Sequence, residues 1–494
     1  MASRTGWVFG FIAVAAAFAA PLAAPAAGEA AVGDLTFSSC FADAGASGCT
    51  ATTDMDQTGG VAVSQDGLSA YAASFGDAAV THFSLGANGV PSFGGCVTDG
   101  GSGTPCLGTQ PPNAILTGAT GVAVTGDGTS VYVASPNAST VSWLDRAAGG
   151  GISFDYCFEE DDALILSCFE PSVNPVMEGA VGVAVRQIGG GSHVLAAASG
   201  TDSLVQFPRT NSGGKLSLPY CVRDEVVCGG APAQLALDGA TGVAISPDGA
   251  DAYVAANVDD SVSHYHFTGA PIVPTFVGCL GNPAEGCVDT PGLNGARGIT
   301  VSPDGTSVYV VSESGNSVTH LRRASDGTLT FVGCIREGGL AGCADPPIDS
   351  LVQPQAVAVS PDGLSVYVAS HLDSAITEFD RASDGSLTFG GCVAEGGMSG
   401  CVDPPIDSLA GADGVAVSPD GASVYVGSQF DSSLTHLTRE VPPPIPAPGA
   451  APGATQAPTK RCRKKKKRAK KRAAAAAKKK KKKSCKKKKK KRKK

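Results

Sequence analysis

Basic side chains are almost missing from most of this chain. Residues 1–459 carry 45 Asp and Glu but only 12 Lys and Arg, and Lys215 is the single lysine among them. Aromatic residues make up 6 % of the 494 residues, whereas glycine occurs 65 times. Such a composition indicates many turns and small side chains, and an acidic body that anionic surfaces should repel.

Several catalytic signatures are absent as well. The sequence contains no G-x-S-x-G, no H-E-x-x-H and no G-x-x-x-x-G-K motif. It therefore lacks the patterns of a nucleophile elbow, a zinc metalloprotease and a phosphate-binding loop. No segment of the body shows the 3.6-residue periodicity of an amphipathic helix, so strands and turns are expected throughout.

Long apolar runs are confined to the N-terminus. Residues 7–20 are apolar or small, follow Arg4, and lead into an Ala-rich stretch that contains Ala24-Pro25-Ala26. This order predicts a secretory signal peptide over residues 1–28, cleaved between residues 24 and 31. An uncleaved membrane anchor is the alternative, but the run is shorter than the ~20 residues that a spanning helix needs. We expect a secreted or extracellular protein with no transmembrane span.

A Gly-Val-Ala-Val string recurs about every 60 residues. It begins at Gly60, Gly121, Gly182, Gly242, Gly298, Ala356 and Gly414. In residues 298–355 it opens four runs of five or six residues that are rich in Val, Thr and Tyr and are separated by turns such as Ser302–Gly305. Each unit predicts four short antiparallel strands, and Gly305 can take the positive φ that such a turn needs. Seven units predict an all-β fold, a seven-bladed β-propeller.

The two ends of the repeat region share one blade. The last repeat stops after its third strand, at Ser433–Glu440, and the missing fourth strand occurs at the N-terminus. Gly33–Cys40 matches Gly327–Cys334 and Gly385–Cys392 closely. We therefore predict a propeller over residues 33–440, closed by its N-terminal strand and left without an open sheet edge.

Fourteen of the sixteen cysteines form seven close pairs, one in each repeat. The pairs are Cys40/Cys49, Cys96/Cys106, Cys157/Cys168, Cys221/Cys228, Cys279/Cys287, Cys334/Cys343 and Cys392/Cys401. Disulfides are expected in an exported chain, and the spacings are too wide for the usual structural zinc site. Cys462 and Cys485 in the tail have no predicted partner.

The repeat itself resembles a known one. The string V-S-P-D-G-x-S-V-Y-V-A-S at Val359–Ser370, nearly repeated at Val301–Ser312, resembles the YVTN-type repeat of bacterial propellers. The chain is also similar, over about residues 33–440, to the lactonase-like seven-bladed propeller family, whose namesake activity is 6-phosphogluconolactonase. The resemblance implies this fold and a site of His, Arg and Glu side chains in the central cleft. The matching residues belong to strands and turns, so they specify the blade rather than the chemistry.

Candidate site residues come from the predicted innermost strands. The residue before each Gly-Val-Ala-Val should lie near the channel mouth, and these residues are Gly59, Thr120, Val181, Thr241, Arg297, Gln355 and Asp413. Arg297, Gln355 and Asp413 form the predicted ligand-binding set, in which Arg297 would hold a carboxylate or hydroxyl. The alternative is a bland mouth with solvated charges. No histidine belongs to this ring, so no general base is predicted there.

Four histidines share a position on the third strand of their repeats. They are His82, His264, His320 and His436, and Trp143, Phe207 and Glu378 take this position in other repeats. One such residue per blade, far from the axis, cannot converge on one metal ion. We expect half-buried packing partners between blades and no metal site.

Calcium is the one cofactor that the sequence keeps open. Asp54–Gly59 begins like a calcium loop, D-x-D-x-x-G, but position 12 of that template is Gln65 rather than Glu. We predict no cofactor, with calcium as the alternative.

The C-terminus reverses the charge of the body. Residues 441–459 form a Pro/Ala-rich linker, and residues 460–494 carry 26 Lys and Arg with no acidic residue. We expect a disordered tail, because charges of one sign at this density repel one another. Anionic polymers or lipids of the cell envelope are the predicted partners. Nucleic acid is disfavoured, since an exported protein rarely meets it and the tail has no aromatic residue for base stacking.

Two functions follow from these observations. The first is a secreted, monomeric, non-catalytic propeller that is associated with the cell wall and binds a small molecule or protein through its disulfide-bonded loops. The alternative is a lactonase-like hydrolase with its site at the channel mouth. A cluster of His, Arg and Glu side chains at the mouth would favour the enzyme.

Overall fold

The computed structural model describes residues 31–45, 48–100, 105–109, 114–159, 168–169, 177–188, 191–209, 216–217, 220–223, 236–269, 272–339, 342–398 and 400–442. A compact unit ends at Val441. The predicted signal peptide, almost all of the linker and the whole Lys-rich tail lie outside these ranges and stay predictions. Across the same ranges, no helix combines the length and the apolar character that crossing a membrane would require.

The described residues form seven sheets whose four main strands are antiparallel, and neighbouring main strands follow one another in the chain except where the N-terminal strand joins the last sheet. We number them as blades 1 to 7 by their first strands. Blade 1 has strands Thr58–Val63, Ser69–Ser74, Ala79–Leu85 and Pro91–Thr98. Blade 2 has Gly121–Val124, Ser130–Ser135, Thr140–Arg146 and Ile152–Glu159. Blade 3 has Ala180–Ile188, Gly191–Ala198, Ser203–Arg209 and Tyr220–Arg223.

The remaining four blades repeat this arrangement. Blade 4 has Ala240–Ile245, Asp251–Ala256, Ser261–Thr268 and Val273–Gly281, followed by a short 3-10 helix, Pro283–Glu285. Blade 5 has Ala296–Val301, Ser307–Ser312, Ser317–Arg323 and Leu329–Arg336. Blade 6 has Pro354–Val359, Ser365–Ser370, Ala375–Arg381 and Leu387–Ala394. Blade 7 has Ala412–Val417, Ser423–Ser428, Ser433–Arg439 and the N-terminal strand Leu35–Asp43.

Blade 7 confirms the predicted closure of the ring. Leu35–Asp43 pairs antiparallel with Ser433–Arg439, so that Thr36 faces Thr438 and Ala42 faces Ser433. The backbone N–H of Gly33 also donates to the carbonyl oxygen of Glu440 at 2.9 Å. The first and last strands of the propeller are therefore held by a continuous ladder of hydrogen bonds.

The prediction of four strands per blade is incomplete. Five of the described sheets carry a short fifth strand that runs parallel to the fourth. These outer strands are Thr50–Thr52, Cys106–Gly108, Cys168–Phe169, Val288–Asp289 and Cys343–Ala344. In blade 5, Cys334 lies opposite Cys343 in this pairing. The loop after each fourth strand thus folds back against the blade at its cysteine pair.

The disulfide prediction is confirmed for the described cysteines. Six pairs are bonded as predicted: Cys40–Cys49, Cys96–Cys106, Cys157–Cys168, Cys279–Cys287, Cys334–Cys343 and Cys392–Cys401. Cys221 is disulfide-bonded as well, and its predicted partner Cys228 lies outside the described residues. Each bridge closes a short loop beyond a fourth strand.

The repeated glycine has a steric cause. A Cβ on Gly60 would collide with the carbonyl oxygen of Thr120 in the next blade, and a Cβ on Gly414 would collide with that of Gly59. First strands of neighbouring blades converge on the axis and leave no room for a side chain there. Outside them, the second strands are buried along their whole length, and Ser307–Ser312 is an example. The core therefore lies between the faces of adjacent blades.

Adjacent blades are also joined by a buried polar contact that the sequence did not reveal. In blade 6, Arg381 Nη2 lies 2.8 Å from Asp304 Oδ2 of blade 5, and Arg381 Nε donates to the Tyr309 hydroxyl at 2.7 Å. An arginine at the end of the third strand pairs with the turn aspartate of the preceding blade at five interfaces, through Arg146, Arg209, Arg323, Arg381 and Arg439. These five arginines are buried between blades and are not available to a ligand at the mouth.

Candidate functional site

The starts of the innermost strands surround one mouth of the channel. A cavity of about 280 Å³ opens there, and six of the seven predicted ring residues line it: Thr120, Val181, Thr241, Arg297, Gln355 and Asp413. The seventh, Gly59, lies beside it, since a Cβ at this position would come within 2.8 Å of Asp413 Oδ2. The structure therefore brings the predicted residues together, because every blade repeats the same register around one axis.

Arg297 reaches this mouth already paired. Its Nη1 donates to Glu313 Oε2 at 3.0 Å, and both side chains are about one-third exposed. Glu313 is the first residue after the second strand of blade 5. In an antiparallel pair, the end of the second strand lies beside the start of the first, so these two side chains meet within one blade. The predicted cation is thus compensated and fixed by a carboxylate.

A histidine outside the predicted ring contacts one of the residues that line the mouth. His371 Nδ1 lies 3.8 Å from Asp413 Oδ1, across the interface between blades 6 and 7. His371 follows the second strand of blade 6, just as Glu313 follows that of blade 5. Its ring packs edge-on against Phe430, with the ring centroids 4.6 Å apart.

Asp413 is the acidic partner of that histidine. Burial raises the pKa of Asp413 above its ordinary value, while the neighbouring charges of Arg297 and His371 oppose the rise. The Asp413 side chain is 18 % exposed, so charge on a neighbouring group affects it more than it would in bulk water.

Gln355 lies in blade 6, between the blade that carries Arg297 and the blade that carries Asp413. Its side chain is 8 % exposed and lines the cavity, yet its Oε1 has no hydrogen-bond partner among the described residues. A buried acceptor without a donor costs free energy. Gln355 therefore lines the cavity with a buried acceptor that has no partner among the described residues.

Blades 1 to 4 contribute no ionisable side chain to the cavity lining among the residues that the structure describes. Thr120 and Thr241 direct their hydroxyls to backbone carbonyl oxygens, those of Val181 at 3.2 Å and Ala255 at 3.3 Å. The polar groups are thus concentrated in blades 5 to 7.

His371 and Glu313 share a repeat position, directly after the second strand, and these positions form a second ring around the channel. The residues that follow the second strands are Phe75, Pro136, Ser199, Asn257, Glu313, His371 and Gln429. This ring lies beside the first one because each second strand runs antiparallel to the first. Sequence reasoning took the ring from the first strands alone and so missed two of the four ionisable residues.

The four repeated histidines form no metal site among the described residues, and their predicted placement needs a correction. They are buried rather than half-buried, and each stacks on a tyrosine of the second strand of its own blade. Two of them also lie against the next blade, as predicted, since a Cβ on Gly150 or Gly385 would come within 2.6 Å of Nε2 of His82 or His320. His320 Nε2, for example, lies 3.0 Å from Ser307 Oγ. Burial lowers the pKa of His82, His320 and His436 to about 4. Glu378 takes the same position in blade 6, where burial raises its pKa to about 7.

The calcium alternative stays a prediction. Asp56 Oδ1 accepts a hydrogen bond from Ser432 Oγ at 3.1 Å, and the Asp56 N–H donates to Asp77 Oδ2 at 2.7 Å. Among the described residues, one group of side chains has metal-ligand spacing, Asp54 with Cys96 and Cys106. The two sulfur atoms are bonded to each other and so are not thiolate ligands.

Fold and site together define a seven-bladed β-propeller with one polar channel mouth. A family model described as "Lactonase, 7-bladed beta-propeller" matches residues 243–440. This match confirms the predicted resemblance to the lactonase-like seven-bladed propeller family over blades 4 to 7, and the sheets continue the same architecture through blades 1 to 3. No curated protein sequence matches the chain.

Solved structures share the architecture at low identity. Hydrazine synthase of Kuenenia stuttgartiensis is 15 % identical, with 80 % of this chain and 99 % of that chain covered and a TM-score of 0.50. The Swd1 β-propeller domain of Myceliophteria thermophila is 9 % identical, with 77 % and 96 % covered and a TM-score of 0.50. The periplasmic gluconolactonase of Pseudomonas aeruginosa is 14 % identical, with 69 % and 85 % covered and a TM-score of 0.47. Similarity at this level concerns the fold and not the chemistry.

Proposed function

We propose that this protein is a lactone hydrolase whose active site is the channel mouth in blades 5 to 7. The observation that carries the proposal is that Arg297 and Asp413 line one cavity and that each contacts a second ionisable side chain, Glu313 and His371 respectively. The family resemblance led us to expect His, Arg and Glu side chains in a central cleft, and these residue types meet here. The family match supports this reading better than the non-catalytic scaffold that was predicted first.

In this proposal His371 is the general base. Its Nδ1 faces Asp413, which leaves Nε2 to take a proton from a water molecule as that water attacks the lactone carbonyl carbon. The ring C–O bond then breaks, the proton passes from His371 to the leaving alkoxide, and the product is an open hydroxy acid. Asp413 stabilises the charge that His371 acquires between these two proton transfers. A distance of 3.8 Å is compatible with this role, since such contacts tighten when substrate binds.

Arg297 and Gln355 complete the site. Arg297 keeps N–H donors beyond the one that binds Glu313, and these can stabilise the negative charge that develops on the carbonyl oxygen. Glu313 is a positioning residue, since it holds the guanidinium and does not contact the reacting atoms. Gln355 lines the cavity between the blade of Arg297 and the blade of Asp413 and helps to shape the space for the lactone.

The proposed location is outside the cytoplasm, as the predicted signal peptide requires. Six disulfides between described cysteines support an oxidising compartment, because such bridges are rare where thiols are kept reduced. Attachment to the cell wall through the Lys-rich tail belongs to the same proposal.

The test is whether the purified full chain hydrolyses any of a panel of lactones. Hydrolysis is measured as the release of acid, once in the presence of calcium and once in the presence of a chelator. His371→Gln should lower kcat/KM at least about 100-fold, the lower limit for loss of a general base. Asn257→Ala changes the equivalent position in blade 4 and should leave the rate unchanged. The absence of hydrolysis by the wild-type chain on every lactone, or equal rates for wild type and His371→Gln, would contradict the proposal.

A further inference from the structure

Two exposed apolar side chains lie beside the proposed catalytic histidine, just outside the residues that line the cavity. The second residue of the turn between second and third strands is Leu372 in blade 6 and Phe430 in blade 7, exposed by 53 % and 63 %. Blades 1, 3 and 5 have Gly76, Gly200 and Ser314 at this position. Single exposed apolar residues are common on protein surfaces, so their position, rather than their exposure, is informative.

Phe430 is held against the site. Its ring packs edge-on against His371, and its N–H donates to the Ala410 carbonyl oxygen at 3.0 Å. The N–H of Leu372 donates to the Val352 carbonyl oxygen at 3.3 Å in the same way. Both turns are therefore anchored by their backbones, and two apolar side chains flank the histidine.

The charged groups around the mouth do not favour the binding of an anion. Arg297 is the one cation that lines the cavity among the described residues, and Glu313 already compensates it. Asp373 and Asp431 directly follow Leu372 and Phe430, and each is fixed by a backbone N–H of the preceding loop, at 2.6 Å and 2.8 Å. A phosphate group would meet these carboxylates and would find no free cation to bind it.

We infer that the mouth selects an uncharged lactone that carries an apolar substituent, and that it discriminates against phosphorylated sugar lactones. This inference rests on the proposed function. The lactone ring lies between His371 and Arg297, and the substituent lies over Phe430 and Leu372. Contact between the apolar substituent and these two side chains then supplies binding energy, whereas an anionic substituent would gain little from the site.

The experiment compares kcat/KM of the full chain on four substrates. These are an unsubstituted δ-lactone, the same δ-lactone with a pentyl chain, glucono-δ-lactone and its 6-phosphate. The pentyl lactone should be the best substrate and the phosphorylated lactone the poorest. Phe430→Ala and Leu372→Ala should each lower kcat/KM for the pentyl lactone at least about 5-fold more than they lower kcat/KM for the unsubstituted lactone, through a higher KM.

Val258→Ala is the matched control. Val258 has the same turn position in blade 4, is 61 % exposed, and lies away from the His371 pair. Val258→Ala should leave kcat/KM unchanged for both the pentyl and the unsubstituted δ-lactone. Preference for the phosphorylated lactone, or equal effects of Phe430→Ala on both δ-lactones, would overturn the inference while leaving hydrolysis intact.

Binding separates this inference from the proposed function. If no lactone is hydrolysed, calorimetry with the pentyl δ-lactam, an uncharged and unreactive analogue, decides the question. Binding that Phe430→Ala weakens and Val258→Ala does not would sustain the ligand class without the enzyme. No binding of the lactam would overturn both.

Discussion

Arg323 is the arginine whose removal should destabilise the propeller most. It extends from blade 5 to blade 4, where its Nη2 donates to Asp251 Oδ2 at 2.5 Å and to Asp248 Oδ2 at 2.8 Å. Its Nε donates to the Tyr253 hydroxyl at 2.8 Å. The change Arg323→Met keeps much of the side-chain volume and removes the charge and all of these donors.

The magnitude depends on what the change leaves behind. The Asp251 side chain is 1 % exposed, so Arg323→Met leaves a buried carboxylate whose remaining side-chain partners among the described residues are His264 and His266. Breaking a buried ion pair from one side costs about 3–5 kcal/mol. At the next interface, Arg381→Met releases Asp304, whose side chain is 45 % exposed and regains water. Its cost should be smaller, about 1.5–3 kcal/mol for the lost hydrogen bonds to charged groups.

Arg322 supplies the control. It precedes Arg323 on the same strand and points to the exposed face, so Arg322→Met should change the free energy of unfolding by less than about 0.5 kcal/mol. Urea unfolding at pH 7, with disulfides intact and circular dichroism as the signal, gives the midpoints. The urea midpoint should be highest for Arg322→Met, lower for Arg381→Met and lowest for Arg323→Met. If Arg322→Met lowers the urea midpoint as much as Arg323→Met does, or if Arg381→Met lowers it more than Arg323→Met does, the argument from burial is wrong.

Other perturbations address pH, closure and the tail. Burial raises the pKa of Glu378 to about 7, so the contribution of this group to the free energy of unfolding is complete below about pH 4.5 and is lost as the pH rises through 7. Glu378→Gln should therefore raise the urea midpoint at pH 8 and not at pH 4. Burial lowers the pKa of His320 to about 4, so stability is lost as the pH falls from about 6.5 to 4, and His320→Phe should reduce this loss. Deletion of Gly33–Cys40 should lower the melting temperature far more than ending the chain at Glu440; equal values would contradict closure by the N-terminal strand. The variant ending at Glu440 should fail to sediment with isolated cell envelopes, from which 1 M salt should release the full chain by screening.

The candidate site divides into what the sequence made predictable and what it did not. Arg297, Gln355 and Asp413 could be placed at the mouth because each occupies the same position in a strand repeat. His371 and Glu313 could not, because they follow the second strands and approach the first ring through antiparallel pairing. The link from His371 to Asp413 also crosses a blade interface. Sequence distance says nothing about such a contact.

The partners of buried polar groups were the other unpredictable part. The four repeated histidines could be excluded as a single metal site from their one-per-blade spacing. Their stacking on tyrosines, and the Arg381–Tyr309–Asp304 contact between blades, depend on side-chain directions that strand alternation alone does not specify. Asp251 is a serine in most other blades, and only the fold shows that this exchange places a carboxylate beside His264 and Arg323.

The sequence by itself determined the number of blades, the order of strands and the closure by Gly33–Cys40, because these follow from local turn chemistry and a repeated period. It also determined the short-range cysteine pairs, since their separation is set along the chain. Only the tertiary structure decided which side chains share the mouth. Closing seven sheets around an axis brings Arg297, His371 and Asp413 together from three blades, and proximity across blade interfaces is a property of the packing rather than of the order of residues.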